Sequence, residues 1–185
     1  MRDKTIEVII GEAFEPHLPQ LIALDREVLP EMYVTSEEKL RDRFLANPDS
    51  IVGLIGLESG ALLGYVNIFP ITSQARRALL EGELPNDIEM TSEHVAEWSQ
   101  RAPTDLYVIT VAVSPSARGG QVTRRLVQEL RSFLRAQRDA GHVLGAVYTS
   151  VVTEDGARFM GRLGFTPTGS EGGCWRVSAE ELAQG

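Results

Sequence analysis

The sequence predicts an α/β fold in which strands and helices alternate along a single domain. The run 107–113 is rich in β-branched and aromatic residues, and apolar residues recur at helical spacing behind it, from Val122 to Leu134. Two apolar runs, 51–57 and 61–69, are joined at Glu58-Ser59-Gly60, as is typical of a β-hairpin. A chain of 185 residues has the ordinary length of one domain with a sizeable core.

The N-terminal third predicts one strand followed by two helices. Residues 5–10 alternate as a strand, and apolar residues at helical spacing predict a helix over 17–29 that Pro30 ends. Ser36 is a suitable N-cap for a second helix that runs to Ala46.

An insertion of about thirty residues is predicted between the hairpin and the central strand, at 71–104. A helix over 73–81 ending at Gly82 and a second helix over 91–100 are expected within it. The insertion carries four acidic residues close together, which are Asp87, Glu89, Glu93 and Glu97. Such a cluster would either receive a cationic substrate or form a solvated face.

The C-terminal part predicts a strand within 142–152, a short helix over 156–163 opened by Thr153, and a last strand from Cys174 to Val177. We expect Cys174 to be a small buried residue rather than a nucleophile.

Composition limits the classes of function. The net charge of −8 disfavours nucleic-acid partners, which need a basic surface. A single cysteine excludes an intrachain disulfide, and the residue spacings show no metal site. No segment resembles a signal peptide or a membrane span, so the sequence predicts a cytoplasmic protein without a membrane partner.

The turn Arg118-Gly119-Gly120 lies between the central strand and the following helix. Unpaired backbone N–H groups and the positive end of the helix dipole favour anions at such a position. The glycines match neither the dinucleotide-binding pattern nor the P-loop pattern, so neither of those nucleotide chemistries is predicted.

The segment VAVSPSARGGQ, followed later in the chain by ARFMGRLGF, resembles the GNAT superfamily of acyl-CoA-dependent N-acyltransferases. The resemblance implies a mixed, curved sheet flanked by helices. It also implies acetyl-CoA or another acyl-CoA as co-substrate, a small-molecule amine as acceptor, and direct attack of the amine on the thioester. The early helices would line the acceptor site, with Glu31, Met32, Tyr33, Glu38 and Asn67 as candidate contacts.

The same resemblance implies two groups of cofactor-binding residues. The pantetheine arm would pair with the backbone of Val111, Ala112 and Val113. The pyrophosphate would lie on the loop and the first helical turn, formed by Arg118, Gly119, Gly120, Gln121, Val122 and Thr123.

Four positions depart from the family pattern. Gln121 and Thr123 replace a glycine and a small residue of the pyrophosphate loop. Met160 replaces the tyrosine that protonates the departing thiolate, and Ile109 replaces the glutamate that takes the proton of the amine. Neither a thioether nor an alkyl group can perform those proton transfers.

Tyr107 and Tyr148 are therefore the candidate catalytic residues, each as a donor or water anchor. Strict alternation along the central strand places Tyr107 on one face with Ile109, Val111 and Val113, and places Thr110 and Ala112 on the opposite face. Two other functions are left open, a noncatalytic binding or sensor protein and an enzyme acting on another thioester, such as one held by a carrier protein. A homodimer is also left open.

Overall fold

The structure is a computed structural model and describes residues 5–84, 89–118, 120–170 and 173–185. Within these residues, seven strands form one sheet: β1 (Ile6–Ile10), β2 (Ile51–Gly56), β3 (Leu62–Pro70), β4 (Thr104–Val113), β5 (Leu144–Ser150), β6 (Thr166–Pro167) and β7 (Cys174–Ser178). The order is β1-β2-β3-β4-β5-β7-β6, and every pairing is antiparallel except that of β4 with β5. The predicted mixed α/β fold is confirmed.

The described helices are α1 (Leu18–Val28), α2 (Glu37–Ala46), α3 (Ser73–Glu81), α4 (Gln121–Asp139), α5 (Glu154–Arg162) and α6 (Ala179–Gln184). The apolar stripe of α4 packs with α5 and α6 on one face of the sheet. Helices α1 and α2 cover part of the opposite face, and α3 covers the rest. None of the helices in the described ranges is long and apolar enough to cross a membrane.

Capping residues set the ends of several helices as the sequence predicts. The hydroxyl of Ser36 accepts a hydrogen bond from the Lys39 backbone N–H at the start of α2. Thr153 caps α5 in the same way, and Gly82 ends α3 with a φ of 73°.

The predicted helix over 91–100 is wrong. The segment forms a single 3-10 turn at Ser92–His94 and then runs extended. Its backbone bonds go to the end of β3, because Ala96 N donates to the Pro70 carbonyl and Val95 bridges Ile71. Pairing with a neighbouring strand therefore replaces the local hydrogen bonds of a helix.

The predicted division of β4 into two faces is also wrong, because β4 contains a bulge. Asn67 of β3 lies opposite Thr110, but the next residue, Ile68, lies opposite Val108, so Ile109 has no counterpart. Beyond the bulge the alternation is inverted. Val111 and Val113 pack with Leu106 and Val108 against α4, and Thr110 and Ala112 share the face of Tyr107.

Strands β4 and β5 part beyond the bulge. Their parallel pairing runs from Thr104 opposite Leu144 to Val108 opposite Thr149, whereas β4 continues to Val113. The remaining half of β4 faces an opening instead of β5. The N-terminus of α5 and the end of α1 both reach this opening.

Candidate active site

The opening between β4 and β5 is a cavity of about 100 Å³. Its walls come from six parts of the chain: α1, the segment between α1 and α2, α2, β3, the bulged half of β4, and the segment from the end of β5 into α5. The lining includes Asp25, Tyr33, Thr35, Arg43, Tyr65, Asn67, Ile109, Thr110, Ser150 and Met160. The wall is apolar for the most part, with a few convergent polar groups, as is usual for small-molecule sites.

A buried carboxylate and phenol meet in this cavity. Asp25 of α1 is 3% exposed and Tyr65 of β3 is 1% exposed. The Tyr65 hydroxyl donates a hydrogen bond to Asp25 Oδ1. Burial, together with the negative charge of Asp25, raises the pKa of Tyr65 well above 10.0, while a hydrogen bond with Thr110 acts in the opposite direction. Tyr65 is therefore a neutral phenol at physiological pH.

A buried guanidinium lies in the same wall. Arg43 of α2 is 2% exposed and donates to the Met90 carbonyl oxygen at 2.6 Å and to Thr35 Oγ1 at 3.3 Å. Its positive charge lowers the pKa of Tyr65, although less than burial and Asp25 raise it. Arg43 thus connects α2 by a hydrogen bond to the segment that follows α3, and it contributes a positive charge to the cavity wall.

Asn67 places a side-chain amide in the cavity wall beside the bulge. The residue is 3% exposed, and its Oδ1 has no hydrogen-bond partner among the described residues. A buried amide without a partner costs free energy in the empty protein, so a ligand N–H or a water molecule is its natural partner.

The two predicted catalytic tyrosines lie outside the lining of the cavity. Tyr107 is fully buried, and its hydroxyl donates to Ser150 Oγ at 2.8 Å, so it contacts the wall through Ser150. Burial, with Asp105 nearby, raises the pKa of Tyr148 above 10.0. Ile109 and Met160, the two positions where the family residues are missing, both line the cavity.

The predicted pyrophosphate loop leads into α4. Gly119 lies outside the described residues. Gly120 is the N-cap of α4 with a φ of 101°, a backbone conformation that residues other than glycine rarely adopt. The Gln121 side chain is exposed and lines an outer groove with Ile6 and Arg124.

Arg118 extends this charged edge toward α5. Its side chain is exposed, and it contributes to lowering the pKa of Asp155 in the first turn of α5, after the larger effect of Arg158. Arg118, which precedes α4, thus lies within electrostatic reach of the first turn of α5.

The other candidate residues divide between the cavity and the surface. Tyr33 lines the cavity, whereas Glu31, Met32 and Glu38 are exposed. In the acidic cluster, Asp87 lies outside the described residues, Glu89 pairs with Lys39, and both Glu93 and Glu97 are exposed away from the cavity. No group of metal-ligating side chains occurs in the described part of the chain.

Three residues of the site were not predicted from the sequence: Asp25, Tyr65 and Arg43. The sequence nevertheless contains a signal for Asp25 and for Arg43. Asp25 occupies the next position of the apolar stripe Leu18, Leu21 and Ile22 on α1. Arg43 stands between Leu40 and Phe44 on the apolar stripe of α2. A charged residue on a core-facing stripe is buried, and buried charges are concentrated at functional sites.

The sequence model of the acetyltransferase (GNAT) family matches residues 18–165. The chain belongs to this family. A search of curated protein sequences finds no match.

Solved structures of GNAT proteins share the fold at low identity. Arabidopsis thaliana NAA60 with a bisubstrate analogue has 17% identity and a TM-score of 0.59, over 94% of this chain and 98% of that chain. A mosquito arylalkylamine N-acetyltransferase-like protein has 14% identity and a TM-score of 0.56, over 88% and 84%. The GNAT-like decarboxylase GphF with isobutyryl-CoA has 19% identity and a TM-score of 0.55, over 85% and 71%.

Proposed function

We propose that this GNAT protein transfers an acyl group from acyl-CoA, acetyl-CoA in the first instance, to the nitrogen of a small-molecule amine. The observation that carries the proposal is the cavity where β4 leaves β5, since it opens beside the unpaired half of β4 and is lined by polar groups of α1, α2 and β3. A donor held along β4 would place its thioester in this cavity, beside those groups.

The donor would be held mainly by backbone. The part of β4 from Val111 to Val113 does not pair with β5 and offers N–H and C=O groups to the pantetheine arm. The pyrophosphate would lie on the loop from Arg118 to Gly120 and on the first turn of α4, which includes Gln121, Val122 and Thr123. Changes in side chain along β4 leave this mode of binding intact.

The amine would enter from the side of α1 and α2, past Tyr33. Attack on the thioester carbon needs the two reacting atoms to be aligned, and alignment alone supplies about 7–11 kcal/mol. Tyr107 acts in this proposal as a positioning residue, because its hydroxyl orients Ser150 in the cavity wall. A catalytic role of Tyr148, and the cytoplasmic location, stay predictions.

The test is an acetyl-transfer assay. The protein is incubated with acetyl-CoA and, separately, with methylamine, tyramine, spermidine and a peptide with a free N-terminus, while CoA release is followed with a thiol reagent. The proposal expects amine-dependent CoA release and an N-acetyl product by mass spectrometry.

The alternatives give different results in the same assay. Binding of acetyl-CoA without transfer to any amine would support a noncatalytic binding protein. CoA release without an acetylated amine would indicate hydrolysis. Failure to bind acetyl-CoA, together with reaction on an acylated carrier protein, would move the donor from CoA to a carrier.

A further inference from the structure

Two polar side chains of the cavity are joined by a hydrogen bond, because the Tyr65 hydroxyl donates to the Asp25 carboxylate. Thr110 faces the same hydroxyl from β4 and acts to lower its pKa. Thr110 stands next to Ile109, the position at which the family places its base, and all three side chains line the cavity. The hydrogen-bonded pair therefore places a carboxylate of α1, through Tyr65, beside the part of β4 that lines the cavity.

We propose that Asp25 is the proton acceptor of the acyl transfer and that it receives the proton of the attacking amine through the Tyr65 hydroxyl. This inference rests on the proposed function. Asp25 on α1 and Tyr65 on β3 would then perform the proton transfer that Ile109 on β4 cannot perform.

The chemistry balances without another reactant. The neutral amine nitrogen forms a bond to the thioester carbon and becomes positively charged, while the carbonyl π electrons move to the oxygen. The amine proton passes to Tyr65 Oη as the Tyr65 proton passes to Asp25, and the neutral phenol is restored. The oxyanion then re-forms the C=O bond, the carbon–sulfur bond breaks, CoA leaves with the bonding electron pair as the thiolate, and Asp25 returns the proton to water.

Tyr65 suits transmission of a proton and is unsuited to act as the base itself. Its raised pKa keeps the hydroxyl protonated, so it gives up a proton to Asp25 only as it gains one from the amine. Arg43 faces the same hydroxyl from α2 and is permanently charged, so it cannot take the proton. Ile109 and Met160 carry no titratable group.

Burial of the carboxylate is difficult to explain by stability alone. Asp25 occupies an apolar-stripe position of α1 where leucine would pack without desolvating a charge. Replacing buried ionic groups by apolar residues is often neutral or stabilising. A functional demand accounts for a carboxylate at this place.

The decisive variant is Asp25→Asn, which keeps the shape and the hydrogen bond from Tyr65 but cannot take up a proton. With acetyl-CoA and methylamine as probes, we expect kcat to fall by about 10²–10⁴-fold. The KM for methylamine and the Kd for acetyl-CoA stay within about threefold, and the acidic limb of the pH profile of kcat disappears.

Tyr65→Phe gives an independent measurement should Asp25→Asn fold poorly. It breaks the same path, so its kcat falls in the same range, and the double variant is no slower than the slower single variant because the two residues act as a unit. Asp105→Asn is the matched control. Its carboxylate accepts from Arg76 and the Ala146 N–H outside the cavity, so kcat stays at the wild-type value.

The two proposals fail in different ways. If wild-type protein transfers acetyl to methylamine and both variants keep kcat within threefold, Asp25 is not the proton acceptor and the proposed function stands. If the acidic limb of the pH profile of kcat persists in Asp25→Asn, Asp25 is likewise not the proton acceptor. If wild-type protein acetylates none of the amines, the proposed function itself fails.

Discussion

The Asn67 amide is buried in the cavity wall, and its Oδ1 has no hydrogen-bond partner in the described part of the protein. Replacing it by leucine removes an unsatisfied polar group, so we expect the free energy of unfolding to stay equal or rise by up to about 1 kcal/mol. The KM for the acceptor amine should rise severalfold, since a ligand N–H loses its acceptor. Urea denaturation and acetyl-transfer kinetics measure the two effects.

Thr149→Val is the control for Asn67→Leu. The Thr149 hydroxyl is also buried but donates to the Val108 carbonyl at 2.9 Å, so its loss should cost about 0.5–1.5 kcal/mol. If Asn67→Leu destabilises the protein as much as Thr149→Val does, the amide has a partner within the protein and our interpretation of Asn67 is wrong.

Tyr107 and Tyr148 differ in what their hydroxyls contact. Tyr107→Phe removes the hydrogen bond to Ser150 in the cavity wall, and we expect turnover to fall about tenfold with acetyl-CoA binding unchanged. Tyr148→Phe tests the second predicted catalytic residue in the same assay. Equal turnover of Tyr107→Phe and wild-type protein would remove Tyr107 from the mechanism, and slowed turnover of Tyr148→Phe would return Tyr148 to it.

The start of α4 depends on the backbone conformation of Gly120. Its φ of 101° is unfavourable for any side chain, although a Cβ there would meet nothing closer than 3.9 Å. Gly120→Ala should therefore lower the free energy of unfolding by about 1–3 kcal/mol through backbone strain, and should weaken acetyl-CoA binding. Thermal unfolding and calorimetry measure these effects.

Gly161→Ala is the matched control for Gly120→Ala. It lies within α5, and a Cβ there meets nothing within 4 Å, so Gly161→Ala should raise the free energy of unfolding by about 0.5–1 kcal/mol. Similar stability of the two alanine variants would contradict the assigned backbone conformation of the loop.

The contact between α2 and the segment after α3 makes the free energy of unfolding depend on pH. The Ser92 backbone N–H and hydroxyl hold the pKa of Asp42 below 3.8, with a smaller contribution from Arg43. Since the folded-state pKa is the lower one, this stabilisation is complete above the unfolded pKa and is lost as pH falls through the folded one. Asp42→Asn should therefore reduce the fall in the free energy of unfolding as pH decreases, measured by urea denaturation from pH 2 to 6. The same fall in the variant and in wild-type protein would show that Asp42 does not contribute to it.

The bulge in β4 shows why element positions are easier to predict than the faces of a strand. Residues 107–113 read as one uninterrupted β-branched run, and nothing in their types marks Ile109 as the extra residue. The bulge arises from pairing with β3, which is a long-range contact. One extra residue reverses every side chain beyond it, which moved Thr110 to the face of Tyr107.

Local patterns along the chain predicted the strands, most helices and their caps. The helix over 91–100 failed because its backbone pairs with β3 across the sheet edge, a competition that composition does not reveal. The site residues on α1 and α2 were missed because a lone Asp or Arg on a helix resembles surface charge until its position on the apolar stripe is considered.

The unpaired half of β4 and the start of α4 are the proposed binding surface for acyl-CoA. Calorimetric titration of the purified protein with acetyl-CoA, and in parallel with CoA, measures this binding. We expect saturable one-to-one binding of both ligands, weakened in Gly120→Ala. Absence of binding to wild-type protein at millimolar ligand would contradict the proposed binding surface.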